Sequence, residues 1–118
     1  MSAQPSHPRG WPDAYDEAMA DDEVYVIRLL PVEGKQVTPE LIHAHVEHLR
    51  ALDDAGGLVM GGPIPGRHES LIVVRARSLE DATAVAERDP FVQAGARTVD
   101  VAAWLLATRQ NGYLDLGE

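Results

Sequence analysis

The sequence predicts one α+β domain whose elements follow the order β-α-β-β-α-β. A chain of 118 residues is long enough to bury one sound hydrophobic core but not two. Its hydrophobic fraction of 45% and charged fraction of 25% are ordinary for a globular protein. Four apolar, β-rich stretches are separated by turns and by two segments of helical periodicity, and this succession sets the predicted order.

The first strand and the first helix have the clearest signals. Val24–Pro31 (VYVIRLLP) is β-branched, aromatic and apolar, which is typical of a strand buried on most of both faces. Thr38 is a good N-cap, Pro39 suits the first helical position, and Glu40 favours the positive end of the helix dipole. Gly56 and Gly57 end the helix. Between these signals the apolar residues repeat at helical spacing: Leu41, Ile42, Val46, Leu49 and Leu52.

The middle of the chain predicts two short strands. Residues 58–62 form the second strand, and the run Gly-Pro-Ile-Pro-Gly at 62–66 is expected to be a stiff loop outside the sheet. Residues 69–77 form the third strand.

A second helix and a fourth strand complete the unit. Ser78 is the expected N-cap of the helix, and Asp89-Pro90 is expected to end it. The last strand spans residues 97–106 and places Val99, Val101, Ala103 and Leu105 on one face.

This order is the ferredoxin-like arrangement, with an antiparallel sheet and both helices on one face. Strands one and three carry apolar residues on both faces, so two helices leave the other sheet face uncovered. Monomers rarely expose such a surface. We therefore predict a homodimer in which two sheets pack face to face as a dimeric α/β barrel.

Composition limits the kinds of partner that the chain can bind and predicts its cellular location. The net charge of −9 argues against nucleic acid, and no apolar run approaches the roughly 20 residues that span a bilayer. Residues 1–22 are predicted to be a peripheral acidic extension, residues 23–107 the domain and residues 108–118 a tail. With no apolar signal segment, the chain is predicted to be cytoplasmic. The absence of cysteine excludes disulfides, thiolate catalysis and cysteine-based zinc sites.

Three histidines in the first helix invite a metal hypothesis. At about 100° per residue, His43 lies about 160° around the helix axis from His45. Only His45 and His48 share a face, and no carboxylate lies near them on that side. We therefore predict no metal and no other cofactor.

His45 and Asp89 each have two interpretations. His45 falls on the inward stripe of its helix, where it is either a core histidine bonded to a backbone carbonyl or a functional group. Asp89 is either a turn residue before Pro90 or a carboxylate that the topology brings near the first helix.

Several short motifs, taken in order, resemble the YCII (YciI-like) family over about residues 24–105. They are His45-x-x-His48-Leu49-x-x-Leu52, Gly56, Gly61-Gly62-Pro63, Ser78-Leu79-Glu80-Asp81-Ala82 and Asp89-Pro90-Phe91. The resemblance implies a dimeric ferredoxin-like barrel with His45 and Asp89 as the active-site pair. Many relatives carry an arginine where this chain has Ile42, so an anion contact there is missing. The extension and the tail also reach beyond the usual domain.

The resemblance implies a cofactor-independent lyase or isomerase acting on a small, cyclic or phenolic metabolite. His45 would be the general acid or base, and Asp89 would fix its tautomer. Candidate substrate-binding residues are Arg28, His48, Pro63 and Phe91, with Arg67 and His68 as further candidates. The alternative is a non-catalytic ligand-binding or protein-interaction dimer of the same fold.

Overall fold

The structure, a computed structural model, describes residues 24–115. The predicted extension at residues 1–22 and the last three residues of the tail lie outside this range. Seven helices and strands lie within it, followed by a short 3₁₀ turn at Gly112–Leu114: β1 (Val24–Pro31), α1 (Pro39–Asp54), β2 (Leu58–Ile64), β3 (Glu69–Arg75), α2 (Leu79–Glu87), α3 (Pro90–Gln93) and β4 (Arg97–Ala103).

The four strands form one antiparallel sheet in the order β2-β3-β1-β4. Because β1 pairs with both β3 and β4, each helical connection crosses over one strand before it returns to the sheet. The predicted ferredoxin-like α+β fold is therefore confirmed. None of the helices in residues 24–115 is long and apolar enough to cross a bilayer.

The hydrophobic core lies between the sheet and the helices. Alternate residues of the central strands point into it, including Ile27 and Leu29 from β1 and Ile72 and Val74 from β3. Each such side chain contributes about 1.5–3 kcal/mol when it is fully buried. The later helices supply the buried residues Ala82, Ala86 and Phe91. Three half-buried leucines of α1 pack against this core: Leu41, Leu49 and Leu52.

Three of the predicted helix ends are confirmed. The Thr38 hydroxyl accepts a hydrogen bond of 3.1 Å from the Leu41 N–H, and the Ser78 hydroxyl accepts one of 3.0 Å from the Asp81 N–H. Gly56 follows α1 with a φ of +81°, a conformation that favours glycine. Its N–H bonds the Asp53 carbonyl at 2.9 Å, which closes the helix.

The boundaries of three strands differ from the prediction. β2 continues through Pro63 to Ile64 because it is an edge strand, where a residue without an N–H can still pair on its inner side. β3 and β4 end earlier, at Arg75 and Ala103, because their common neighbour β1 begins at Val24.

The structure also contains a helix that the prediction omitted. Asp89 does not simply end α2; it caps the short helix α3, with Pro90 at its first position. A capping side chain followed by proline is the same signal that correctly placed the start of α1 at Thr38-Pro39.

The second sheet face carries no helix in the described part of the chain. Val26, Leu71 and Val73 lie on this outer face, which is opposite to the core residues of the same strands. Two large apolar side chains remain exposed beside them, Met60 by 61% and Trp104 by 41%. Val73 is already buried and Val26 and Leu71 are half-buried, so the apolar surface that stays exposed on the outer face belongs mainly to Met60 and Trp104.

Adjacent glycines in β2 provide a test of the packing between β2 and β3. A Cβ at Gly61 would lie 3.0 Å from the Leu71 carbonyl oxygen, whereas one at Gly62 meets nothing within 4 Å. We expect Gly61→Ala to lower the free energy of unfolding by about 1–3 kcal/mol because backbone must shift. The matched change Gly62→Ala should alter it by less than about 0.5 kcal/mol. Urea denaturation of both variants measures the difference, and equal effects would contradict this packing.

Candidate active site

His45 and Asp89 meet across the helical layer. The His45 Nδ1 atom lies 2.9 Å from Asp89 Oδ1 and 2.8 Å from Oδ2, so both carboxylate oxygens contact the same ring nitrogen. The Asp89 side chain is 1% exposed and that of His45 is 12% exposed. The pair is thus formed by residues 44 positions apart in the chain and is shielded from bulk water.

Local sequence explains both positions. His45 occupies the same inward stripe of α1 as Leu41, Leu49 and Leu52, which pack on the core. Asp89 is fixed because it caps α3: its Oδ1 accepts the Phe91 N–H at 2.9 Å. The capping bond holds the carboxylate against the neighbouring face of α1, where His45 completes its hydrogen bonding.

Phe91 contacts the pair from the side. Its ring stacks on the His45 ring with 4.1 Å between the centroids and an angle of 7° between the planes. A buried aromatic ring in this position restricts rotation of the imidazole and excludes water from one of its faces. The His45 ring is therefore held by a hydrogen bond at one edge and by stacking on one face.

The geometry determines the tautomer of neutral His45. A carboxylate only accepts hydrogen bonds, so Nδ1 carries the hydrogen and Nε2 presents a lone pair. Within residues 24–115 no side chain or backbone group bonds Nε2. The Nε2 lone pair can therefore accept a proton, while the Nδ1–H stays bonded to Asp89.

His45 and Phe91 line a cavity of about 570 Å³, a size that accommodates a small metabolite. Its walls are α1, β2, the turn from β2 to β3, the first half of β3, and the beginnings of α3 and β4. Apolar side chains and backbone dominate the lining, which comprises Val37, Ile42, His45, Val46, Leu49, Gly61, Gly62, Pro63, Ile64, Pro65, Gly66, His68, Glu69, Ser70, Ile72, Phe91 and Arg97.

The structure brings together only some of the residues predicted to bind substrate. Pro63 and Phe91 line the cavity with His45, and so does His68. Arg28 lies on the outer face of the sheet, where it contacts Asp100 at 3.4 Å. Arg67 lines the outer-face cleft with it.

His48 is half-buried beside the pair but does not line the cavity. Burial is the largest influence on it and lowers the pKa of its imidazole below the ordinary 6.5. The charge of Asp89 opposes this shift, while the neighbouring His45 and Arg88 add to it. His48 thus belongs to the electrostatic surroundings of the pair.

Two features of the cavity were missed by the sequence analysis. Arg97 enters it from the start of β4, and its alternation with Val99 and Val101 is the signal that would have placed it on the helix-covered face. His68 adopts a φ of +58°, which is uncommon for a residue other than glycine. No sequence signal distinguishes that conformation, because it depends on closure of the turn after Gly66.

Residues 24–115 contain no cluster of three or more His, Asp or Glu side chains that could hold a metal ion. The absence of a metal requirement stays a prediction.

Comparison with known proteins places the chain in a family. The model of the YCII-related domain matches residues 18–105, which is most of the chain. The chain belongs to the YCII-related family. The matched range includes α1, β2 and the Asp89-Pro90-Phe91 segment.

The chain is similar to a curated protein sequence and to a solved structure. An uncharacterised protein of Bacillus subtilis, YjpA, is 28% identical over 83 residues, covering 70% of this chain and 98% of that protein. The structure of 5-chloro-2-hydroxyhydroquinone dehydrochlorinase (TftG) from Burkholderia phenoliruptrix, in complex with 2,5-dihydroxybenzoquinone, matches with a TM-score of 0.62. The identity is 24%, over 70% of this chain and 94% of TftG. This similarity shows a common fold.

The lowered pKa of His48 predicts a pH dependence of stability. In the unfolded chain His48 takes up its proton near pH 6.5, whereas in the native state it does so only at lower pH. The native state therefore loses stability as the pH falls through this window. We expect the parent to lose unfolding free energy relative to the His48→Gln variant when the pH is lowered from about 8 to about 5. Urea denaturation at both values measures it; a constant difference would contradict the burial effect.

Proposed function

We propose that this protein is a cofactor-independent lyase or isomerase that uses His45 and Asp89 to move a proton on a small hydroxylated ring. The observation that carries the proposal is a histidine whose Nδ1 is held by a buried carboxylate and whose Nε2 is bonded by no group in residues 24–115. This arrangement gives a proton-transfer group a fixed tautomer and direction.

Elimination and isomerisation both need no more than proton transfer at such a group. His45 Nε2 takes a proton from a ring hydroxyl or an acidic carbon, and the electron pair moves into the ring. In an elimination the leaving group departs with an electron pair; in an isomerisation the proton returns at another atom. Neither reaction changes the number of electrons on substrate and product taken together, so no external oxidant or reductant is required.

The substrate class is supported by the cavity and by one neighbour of the same fold. Phe91, Val46, Leu49 and Ile72 provide apolar surface against which a planar ring can pack. TftG acts as a hydroquinone dehydrochlorinase and has been crystallised with a dihydroxybenzoquinone. The activity of TftG is carried over to this chain only as an analogy of fold. A cytoplasmic location remains our prediction.

We expect His45 and Asp89 to act as one catalytic unit. A panel of chlorinated and hydroxylated hydroquinones, followed by absorbance and chloride release, identifies a substrate. On that substrate His45→Asn and Asp89→Asn should each lower kcat/KM by about 10²–10⁴, since each removes the general base or its orientation. The double variant should be little worse than the single ones. Asparagine at 89 still caps α3, so the fold should be preserved.

His43→Asn is the matched control, because His43 lies on the exposed side of the same helix. It should leave kcat/KM unchanged. Full activity in a folded His45→Asn variant would refute the proton-transfer role. A wild-type protein that binds dihydroxybenzoquinone but turns over nothing in the panel would instead favour the non-catalytic binding dimer.

The same proposal includes a homodimer formed through the outer face. Burying Met60 and Trp104, with the exposed parts of Val26 and Leu71, against a second copy would remove this apolar surface from water. In such a dimer the two helical layers lie on the outside. Each His45 cavity then lies on the helix-covered side of its own sheet, and the dimer contact lies on the other side.

We expect the full chain to be a dimer at micromolar concentration by light scattering. Met60→Glu should shift it toward monomer, because a carboxylate would be buried in the contact without a partner. Leu79→Glu is the control: Leu79 is 50% exposed at the start of α2, away from the outer face. A wild-type chain that stays monomeric would rule out this assembly.

A further inference from the structure

The cavity contains one cation without a carboxylate partner. Arg97 lines it from the start of β4 and is half-buried. Its Nη1 donates a hydrogen bond of 2.8 Å to the Ala96 carbonyl, and no carboxylate of residues 24–115 lies within ion-pair distance. A guanidinium has five N–H donors in a planar fork, so most of its donor capacity is unused.

The other titratable groups of the lining do not compensate this charge. Glu69 is committed elsewhere: one carboxylate oxygen lies 3.7 Å from Arg28 and the other 3.8 Å from Arg67. His45 is bonded to Asp89, and His68 is exposed at the turn. Arg97 thus provides the positive charge of a cavity whose remaining walls are largely apolar.

We infer that Arg97 is an anion-binding residue that selects a planar ring bearing an ionised oxygen, such as a phenolate, an enolate or a carboxylate. A half-buried guanidinium beside apolar walls forms stronger hydrogen bonds to an anion than an exposed one does. The protein as a whole carries a charge of −9, which repels anions, so binding of an anion requires such a local cation.

The inference rests on the proposed function for the role of the bound molecule. A ring hydroxyl that gives its proton to His45 becomes an anionic oxygen. An arginine fork in the same cavity would hold the ring through another ionised oxygen and fix which hydroxyl faces Nε2. Arg97 would then set the orientation of the substrate, while His45 and Asp89 carry the proton.

The test compares two probes that share one ring. 2,5-Dihydroxybenzoquinone is a vinylogous acid, ionised at neutral pH, and its dimethyl ether keeps the ring but cannot ionise. Calorimetry on the full chain should show that Arg97→Gln weakens binding of the anion about 10- to 100-fold, the range for losing a charge-assisted hydrogen bond. Binding of the ether should change less than about twofold. Arg97→Lys, which keeps the charge, should bind the anion more tightly than Arg97→Gln.

Arg77→Gln is the matched control, because its 96% exposed side chain makes the same change in net charge at a distant site. This variant should bind both probes with unchanged affinity. Unchanged binding of the anion to Arg97→Gln would overturn the inference. Equal losses of affinity for the anion and for the ether, in both Arg97→Gln and Arg97→Lys, would overturn it too. No binding of the anion to the wild type at millimolar concentration would also overturn it.

The kinetic variants separate this inference from the proposed function. If Arg97→Gln binds the anion normally while His45→Asn abolishes turnover, the anion site is wrong and the proton-transfer function stands. If Arg97 controls anion binding while His45→Asn leaves turnover intact, the inference stands as a binding site and the catalytic proposal is wrong.

Discussion

The arrangement of the site depends on one buried carboxylate. Removing an ionised carboxylate from water costs several kcal/mol unless donors replace the lost hydration. Asp89 meets this requirement with the Phe91 N–H, with the positive end of α3, and with His45 Nδ1. These groups belong to α1 and to the N-terminus of α3, so satisfying the carboxylate also fixes how the two helices sit against each other. The position of the imidazole is thereby tied to the packing of the fold and does not depend on a loop.

The three residues Asp89, Pro90 and Phe91 combine several roles in one turn of chain. Asp89 caps the helix and orients the imidazole, Pro90 begins the helix without leaving an unsatisfied N–H, and Phe91 supplies both the capping N–H and the stacked ring. A substitution at any of the three therefore changes the local helix and the His45 environment together. For this reason a variant that preserves the cap, such as asparagine at 89, separates chemistry from folding better than alanine does.

Most of the fold was predictable because it follows from periodicity and helix-end signals. The alternation of strands and helices, the Thr38 cap and the inward position of His45 all depend on local residue patterns. The extension of β2 through Pro63 was not predictable, since a proline is tolerated there only because tertiary pairing makes β2 an edge. The pairing of His45 with Asp89 required the resemblance as well as the topology, because sequence alone cannot set a distance across 44 residues. Arg28 was expected near the site although the alternation with Ile27 and Leu29 already placed it on the opposite face.

The sheet divides its charges between two surfaces. On the outer face, Arg28 and Arg67 hold both oxygens of Glu69, and Arg28 also contacts Asp100, so positive and negative groups there are mutually neutralised. A neutralised, apolar surface can be buried against a second copy with little loss of charge hydration. On the inner side, Arg97 has no carboxylate partner within the described residues, and a ligand is the natural source of the missing anion. Glu69 lies between the two surfaces and lines both clefts, and its ion-pair contacts are with the outer arginines and not with Arg97. Assembly and chemistry can therefore use the same four strands because alternate residues of each strand serve different sides of the sheet.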